Sequence, residues 1–268
     1  MQPPDSERHH WLNLHAAGVS PRQLDELLAV AGTIAAVGEL SVNQLQRHGG
    51  LSPHAAERIH KGAGADSWQD TLLWLAQPRH EILVWSDPRY PERLRAIPDP
   101  PILLFINGDT SLLSTPQLAV VGSRNPTPTG VETAGAFAAV LAQVGLTITS
   151  GLALGIDAAA HRGALSVSGR TVAVAGTGLD RVYPARHRAL AHEIAASGVL
   201  VSEFPLGAPP KREHFPQRNR LISGLSLGVL VVEAAIQSGS LITARLAGEQ
   251  GREVFAIPGS IHSPLARG

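Results

Sequence analysis

The chain has 268 residues, 44% hydrophobic and only 4% aromatic, and its 22 basic and 22 acidic side chains give a formal net charge of zero. That length allows one large domain and a small one, with a core of Ala, Val, Leu and Ile. A zero balance argues against indiscriminate coating of a polyanion while leaving room for a local basic groove; the lack of cysteine excludes disulfides, a thiolate nucleophile and a Cys-ligated metal.

The first residues, MQPPDSERHHW, lack the charged-then-apolar order of a signal peptide, and no run of 18 apolar residues occurs. The expectation is a cytoplasmic chain with no membrane span. Residues 1–78 read as a self-contained helical domain. Ser20 suits an N-cap with Pro21 at the first helical position, and Leu24, Leu27 and Leu28 recur at helical spacing. A second helix opens on Ser41 and a third on Leu51-Ser52-Pro53 with Ala56 and Ile59, and Trp68, Leu72, Leu73 and Leu75 close the bundle. Short helices joined by Gly-Val or Gly-Leu turns are the pattern of SAM-like or helix-hairpin-helix domains. Amides of such turns can hold a DNA phosphate, although most such turns are plain connections.

Residues 82–85 and 102–106 are strand candidates separated by the proline-rich turns 87–91 and 98–101, a rigid connector. Beyond Leu118 the pattern is α/β. Apolar runs at 118–121, 147–149, 171–175, 199–201, 229–232 and 254–257 alternate with helical stretches at 131–144, 156–165, 185–196, 215–222 and 241–249. Continuous apolar strands alternating with helices predict a mainly parallel sheet with helices on both faces, spanning 79–268. Ligands of such sheets bind beyond the carboxyl ends of the strands, where this chain carries its Gly-rich and polar segments.

Five segments stand at those ends. Gly122-Ser123-Arg124 follows the first strand: glycine permits close approach, Ser123 can donate to a phosphate and Arg124 can bind one bidentately. No G-x-G-x-x-G follows this strand, which argues against a nicotinamide cofactor; no cofactor is expected. Ser150-Gly151 opens a second anion cradle ahead of a helix. Asp157 and His161 share a face of that helix and are too few for a metal site, so a structural role is expected of both. Residues 176–184 either hold a sugar or base edge or form a rigid loop in which Tyr183 and Asp180 brace the second segment. In the fourth, 211–220, Phe215 offers a stacking face to an unpaired base. Arg212 lies just upstream, and Arg218 and Arg220 either contact phosphates or brace acidic neighbours such as Glu233; the bland alternative is a charged first helical turn with Phe215 in the core. In the fifth, Ser240 is the expected N-cap after Ser238-Gly239, Ser238 and Thr243 can touch a phosphate, and Glu233 orients a neighbour such as an arginine. Converging on one sheet edge, these loops suit an extended polyanion better than one small molecule.

Taken together, VVGSR (120–124), SGLALGIDAAAH (150–161), VAGTGLDRVYP (174–184), FPQRNRLISGLS (215–226), VVEA (231–234), SGSLITA (238–244) and GREVFAIPG (251–259) resemble the DNA-processing protein A family, also called Smf. The resemblance covers residue 80 to the end of the sequence, and it extends to the preceding helical region through generic motifs. It implies an extended Rossmann-like domain that binds single-stranded DNA, protects incoming strands and loads the recombinase RecA during natural transformation, without catalysis. Carried over by position, Gly122, Ser123 and Arg124 match the family's GSR phosphate loop, Ser150 and Gly151 the second loop, and Phe215, Arg218, Asn219 and Arg220 the FPxRNR motif. Arg212 is a looser match to a basic position upstream. Family members usually continue beyond the segment that ends at Gly268, and the homodimer contact and part of the RecA surface are expected there. The competing reading is a nucleotide-processing enzyme of the phosphoribohydrolase type. It would use Glu233 or Asp157 as acid/base and the SGSLIT turn as phosphate site, but the P-G-G-x-G-T-type loop of such enzymes is missing.

Overall fold

The computed structural model describes residues 3–62, 68–236 and 238–259. The chain divides into two compact units, Met1–Tyr90 with Asp99–Phe105 and Pro91–Pro98 with Ile106–Gly268.

The first unit holds α1 (Asp5–Ala16), α2 (Pro21–Ala31), α3 (Ile34–Glu39), α4 (Val42–Gly49), α5 (Pro53–Lys61) and α6 (Gln69–Leu75). Side-chain caps set the starts of several. Ser20 and Gln23 form a reciprocal capping box at α2, Ser41 and Gln44 form another at α4, and Ser52 Oγ accepts from Ala55 N at 3.2 Å at α5. Trp11, Leu12, Leu24, Leu27, Leu45 and Ile59 fill the core. Leu73 departs from expectation at 62% exposure, while Trp74 is buried in its place. Thr71, Trp74 and Leu75 share the inward face at i, i+3 and i+4, which turns Leu73 outward. The expected boundary at residues 78–79 falls inside this unit. Strand β1 (His80–Val84) and the start of β2 (Leu103–Gly108) belong to it, and Phe105 packs edge-on to Trp74 and His15 with centroids 6.3 and 6.0 Å apart.

The second unit contains a short helix, α7 (Glu92–Arg95), and then β3 (Gln117–Gly122), α8 (Pro128–Gln143), β4 (Thr147–Ser150), α9 (Ile156–Ser166) and β5 (Thr171–Val174). It continues with α10 (Arg188–Ser197), β6 (Val199–Ser202), α11 (His214–Leu225), β7 (Gly228–Val232), α12 (Gly239–Glu249) and β8 (Glu253–Ala256). Its strands run β2-β6-β5-β4-β3-β7-β8, and the six from β6 to β8 are all parallel. The chain builds outward from β3 in one direction through β4, β5 and β6, then returns to β3's other side with β7 and β8. The order therefore reverses between β3 and β7, the place where such sheets open a crevice beyond their strand ends.

Every residue of β4, β5, β6 and β7 is buried, as the apolar runs require of strands covered on both faces. Val120, Ile148, Leu230 and Val232 pack with Ala134, Ala138, Ala160 and Ala164 of α8 and α9. Those helices approach so closely that a Cβ on Gly163 would stand 2.9 Å from the Cα of Gly135. The expected helix at 185–196 divides into a single 3₁₀ turn, Ala185–His187, followed by α10, and α11 extends three residues past the expected end at 222. Among the described residues no helix is long and apolar enough to cross a membrane, and no group of three His, Cys, Asp or Glu side chains is placed to hold a metal ion.

Candidate nucleic-acid interface

The loop after β3 is held by main chain, which frees its side chains. Ser123 N donates to Glu233 O at 2.8 Å, Ile156 N donates to Ser123 O at 3.1 Å, and Ser123 Oγ accepts from Asn125 N at 3.1 Å. At Gly122 a Cβ would stand 2.7 Å from Ile156 Cγ1, so only glycine lets the loop turn there. Arg124 projects outward, exposed, with its guanidinium carbon 5.3 Å from the ring centroid of Phe215. That is within cation–π range.

The loop after β4 is built around two buried side chains, Asp157 and Arg218, each bonded to main chain. Asp157 Oδ2 accepts from Gly151 N at 3.1 Å and Ala153 N at 3.2 Å, gathering the turn at the start of α9. Arg218 reaches in from α11, 3% exposed, and donates through Nη1 to the carbonyls of Gly151 and Val174. Burial raises the Asp157 pKa, opposed first by the nearby Arg218, and burial lowers the Arg218 guanidinium to about 10. The Arg218 guanidinium stays charged at neutral pH, and main-chain hydrogen bonds hold both groups in place. At Gly151 a Cβ would lie 2.7 Å from Arg218 Cζ, so this glycine makes room for the guanidinium. Gly155, at φ 78°, closes the loop against Ser123 and Pro126. Ser150 is fully buried and its hydroxyl donates to Val120 O at 2.6 Å, so it braces the strand end and cannot reach a ligand in solvent. His161 is likewise structural: its Nδ1 lies 2.7 Å from Thr171 Oγ1, whose proton goes to Ile148 O at 2.6 Å.

Helix α11 separates the charges of the fourth segment by its own pitch. Arg218 and Arg220 are two positions apart and so point to different sides. Arg220 pairs through Nη2 with Glu203, both largely buried; its acidic neighbour is Glu203, where Glu233 was the expected one. Phe215 is half-buried, its ring 5.5 Å from that of Tyr183, which is 46% exposed. His214 stacks on Phe204 at 4.1 Å behind it. Tyr183 thereby joins the surface as a second ring. The alternatives for residues 176–184 were base contact or bracing; what decided Tyr183's position is its tertiary pairing with Phe215, which no local pattern encodes. Arg212 is exposed.

At the end of β7, α12 begins two residues earlier than expected, with Ser238 as the capping residue and Ser240 inside the first turn, buried and 2.8 Å from Ser238 Oγ. No side chain caps the helix, so its first amides face the crevice. Asn219 Nδ2 donates to Gly239 O at 3.2 Å and ties α11 to this turn. Glu233, at φ 55°, orients a threonine rather than an arginine. Its carboxylate accepts from Thr127 N at 2.9 Å and from Thr127 Oγ1, and it stands against Gly130 at the start of α8.

These groups meet in one cleft of about 570 Å³. It is lined by Gly122, Ser123, Arg124, Arg212, Phe215, Arg218, Asn219, Ser238, Gly239 and Ser240, together with Tyr183, Pro210, Thr243 and Asp157. Gly151 lines a smaller adjoining hollow with Arg124 and Tyr183, while Ser150 and Arg220 lie outside both. The cleft has two exposed arginines, two neighbouring rings and one open helix end, and its one carboxyl group, Asp157, is buried near the guanidinium of Arg218.

An open parallel sheet with such a cleft at its crossover point is the Rossmann-like architecture. Residues 81–268 match the family model for DNA recombination-mediator protein A, and the chain belongs to that family. Protein Smf of Escherichia coli (strain K12) is 46% identical over 259 residues, covering 96% of this chain and 68% of that protein. DNA processing protein DprA of Bacillus subtilis is 46% identical over 184 residues, 68% of this chain and 62% of that protein. The chain thus spans about two thirds of the length of these relatives. The X-ray structure of DNA processing protein A from Streptococcus pneumoniae superposes with a TM-score of 0.82 at 37% identity, covering 100% of this chain and 91% of that one. A structure of the Helicobacter pylori protein, concerned with its single-stranded DNA binding mode, has a TM-score of 0.63 at 34% identity, covering 68% of this chain and 83% of that one.

Proposed function

We propose that this chain binds single-stranded DNA in the cleft between the ends of β3 and β7, and acts there as a mediator rather than a catalyst. An unpaired base stacks on Phe215 beside Tyr183, and Arg124 and Arg212 take the flanking phosphates. The open end of α12 receives a third phosphate. The observation that carries this reading is the placement of the exposed Arg124 guanidinium against the Phe215 ring at the mouth of the cleft. The Helicobacter pylori relative's single-stranded DNA binding mode supports it. In this reading Arg218, Arg220 and Ser150 hold the cleft's shape. Both candidate acid/base carboxylates are committed, Glu233 to Thr127 and Asp157 to two amides, which disfavours the nucleotide-processing alternative.

The family's role extends the proposal. The chain shields incoming strands in the cytoplasm during natural transformation and helps load RecA on them, with the SAM-like helical unit as an accessory and a homodimer as the working form. The test is a titration of short single-stranded and blunt duplex oligonucleotides at two salt concentrations. Two arginine–phosphate contacts predict a log–log salt slope near −1.4, at roughly −0.7 per single-strand contact. Arg124→Ala should halve that slope and weaken all sequences alike. Equal affinity for blunt duplex, or no salt dependence, sinks the proposal.

A further inference from the structure

The cleft does not end at Arg124. Beyond that residue lies a second open groove of about 350 Å³, which shares Arg124 with the cleft. Its floor is one face of α9: Gly155, Ala158, Ala159 and Arg162 recur at i, i+3, i+4 and i+7. Gly155 is partly exposed while Ala158 and Ala159 are nearly buried, so no bulky side chain stands between the arginines. Arg186, on the 3₁₀ turn before α10, stands on the rim. Arg124, Arg162 and Arg186 are all exposed, no carboxylate lines the groove, and none of the three enters an ion pair among the described residues.

We infer that this groove is a second phosphate track, and that a strand seated in the cleft continues past Arg124 with its backbone between Arg162 and Arg186. The inference rests on the single-stranded DNA reading of the cleft. It adds the strand's direction of exit and two positioning arginines that no sequence motif singled out. The one ring on its lining, His187, is buried and bonded to Leu152 O, so the groove presents no exposed face on which to stack a base and reads phosphates alone. The shared Arg124 makes one continuous polyanion a better fit than a separate acidic peptide.

The test uses the full chain and compares the wild type with the double variant Arg162→Gln, Arg186→Gln. Fluorescence anisotropy follows binding of oligothymidylates of about five and about twenty nucleotides, lengths that bracket common single-strand site sizes. On the long oligomer the double variant should lose about 1.4 from its salt slope, two contacts at roughly 0.7 each. On the short one, confined to the cleft, the two proteins should bind alike. Arg22→Gln with Lys61→Gln, which removes equal charge from the helical unit, should leave both slopes unchanged. The inference is overturned if the double variant binds the long oligomer as the wild type does, whatever else the groove contacts. It is also overturned if the charge-matched control loses as much slope. Failure of the wild type to bind either oligomer is a different result and refutes the cleft itself.

Discussion

His161 makes the stability of this fold sensitive to mild acid. Its ring is fully buried, with Nδ1 on the Thr171 hydroxyl and Nε2 without a hydrogen-bond partner among the described residues. Since Thr171 gives its own proton to Ile148 O, the hydrogen between them is on Nδ1 and the ring is neutral. A second proton would sit on Nε2, facing no acceptor. Burial first, then the neighbouring His187, Arg218 and Arg162, lower its pKa from 6.5 to about 3. Between those values the unfolded chain holds a proton that the folded chain refuses, so stability falls as the pH falls. At about 1.4 kcal/mol per unit, going from above pH 6.5 to pH 5 costs about 2 kcal/mol. Urea unfolding of the wild type at pH 7.5, 6 and 5 should show that decline. In His161→Asn the side-chain amide can still donate to Thr171 but nothing titrates at this site. That variant starts about 1–3 kcal/mol lower because a ring is lost from the core, and its stability should be flatter by about 2 kcal/mol over the same range. Parallel curves for the two proteins would refute a neutral, unprotonatable His161.

Three further outcomes follow from the same contacts. Phe215→Ala should cost about 1–3 kcal/mol of single-stranded DNA affinity by anisotropy, while Phe215→Tyr retains most of it; equal losses in both would remove stacking from the account. Asp157→Ala leaves Arg218 buried without its counter-charge and should destabilise the fold by about 3–5 kcal/mol in urea. A change under about 1 kcal/mol would mean that the two carbonyls alone suffice for that guanidinium. Replacing both Arg220 and Glu203, by Met and Leu, should be close to neutral for stability and leave DNA affinity unchanged. A clear loss of affinity would return Arg220 to the phosphates.

Much of the sheet could be read directly, because a parallel strand covered on both faces must be a continuous apolar run, and each run from 118 to 257 became a strand within a residue or two. The glycine loops were legible for a related reason: Gly122 and Gly151 stand where any Cβ would collide. What stayed hidden depended on phase and distance. Arg218 and Arg220 form one motif in sequence, yet the helix that carries them sends one beneath the β4 loop and the other to Glu203. Spacing alone forbids both from facing the cleft, but not which of them turns away. Glu233 finds Thr127 across 106 positions, and Tyr183 finds Phe215 across a whole helix and strand. Sequence places Ser150 at the DNA as part of an anion cradle ahead of a helix; its burial follows from where β4 sits, between β3 and β5.

The carboxylate of Glu233 has one more consequence. Lodged at the start of α8, it is in effect an anion that the protein has already bound, tethered by its own chain to the place where a free phosphate would otherwise settle. A tethered ligand competes through effective concentration, of millimolar order or above, and here it arrives pre-oriented on two Thr127 donors. Dissolved phosphate or a stray nucleotide therefore meets an occupied seat at the start of α8. Inorganic phosphate in a binding buffer should compete with DNA at the cleft's arginines and the α12 end, and not at α8.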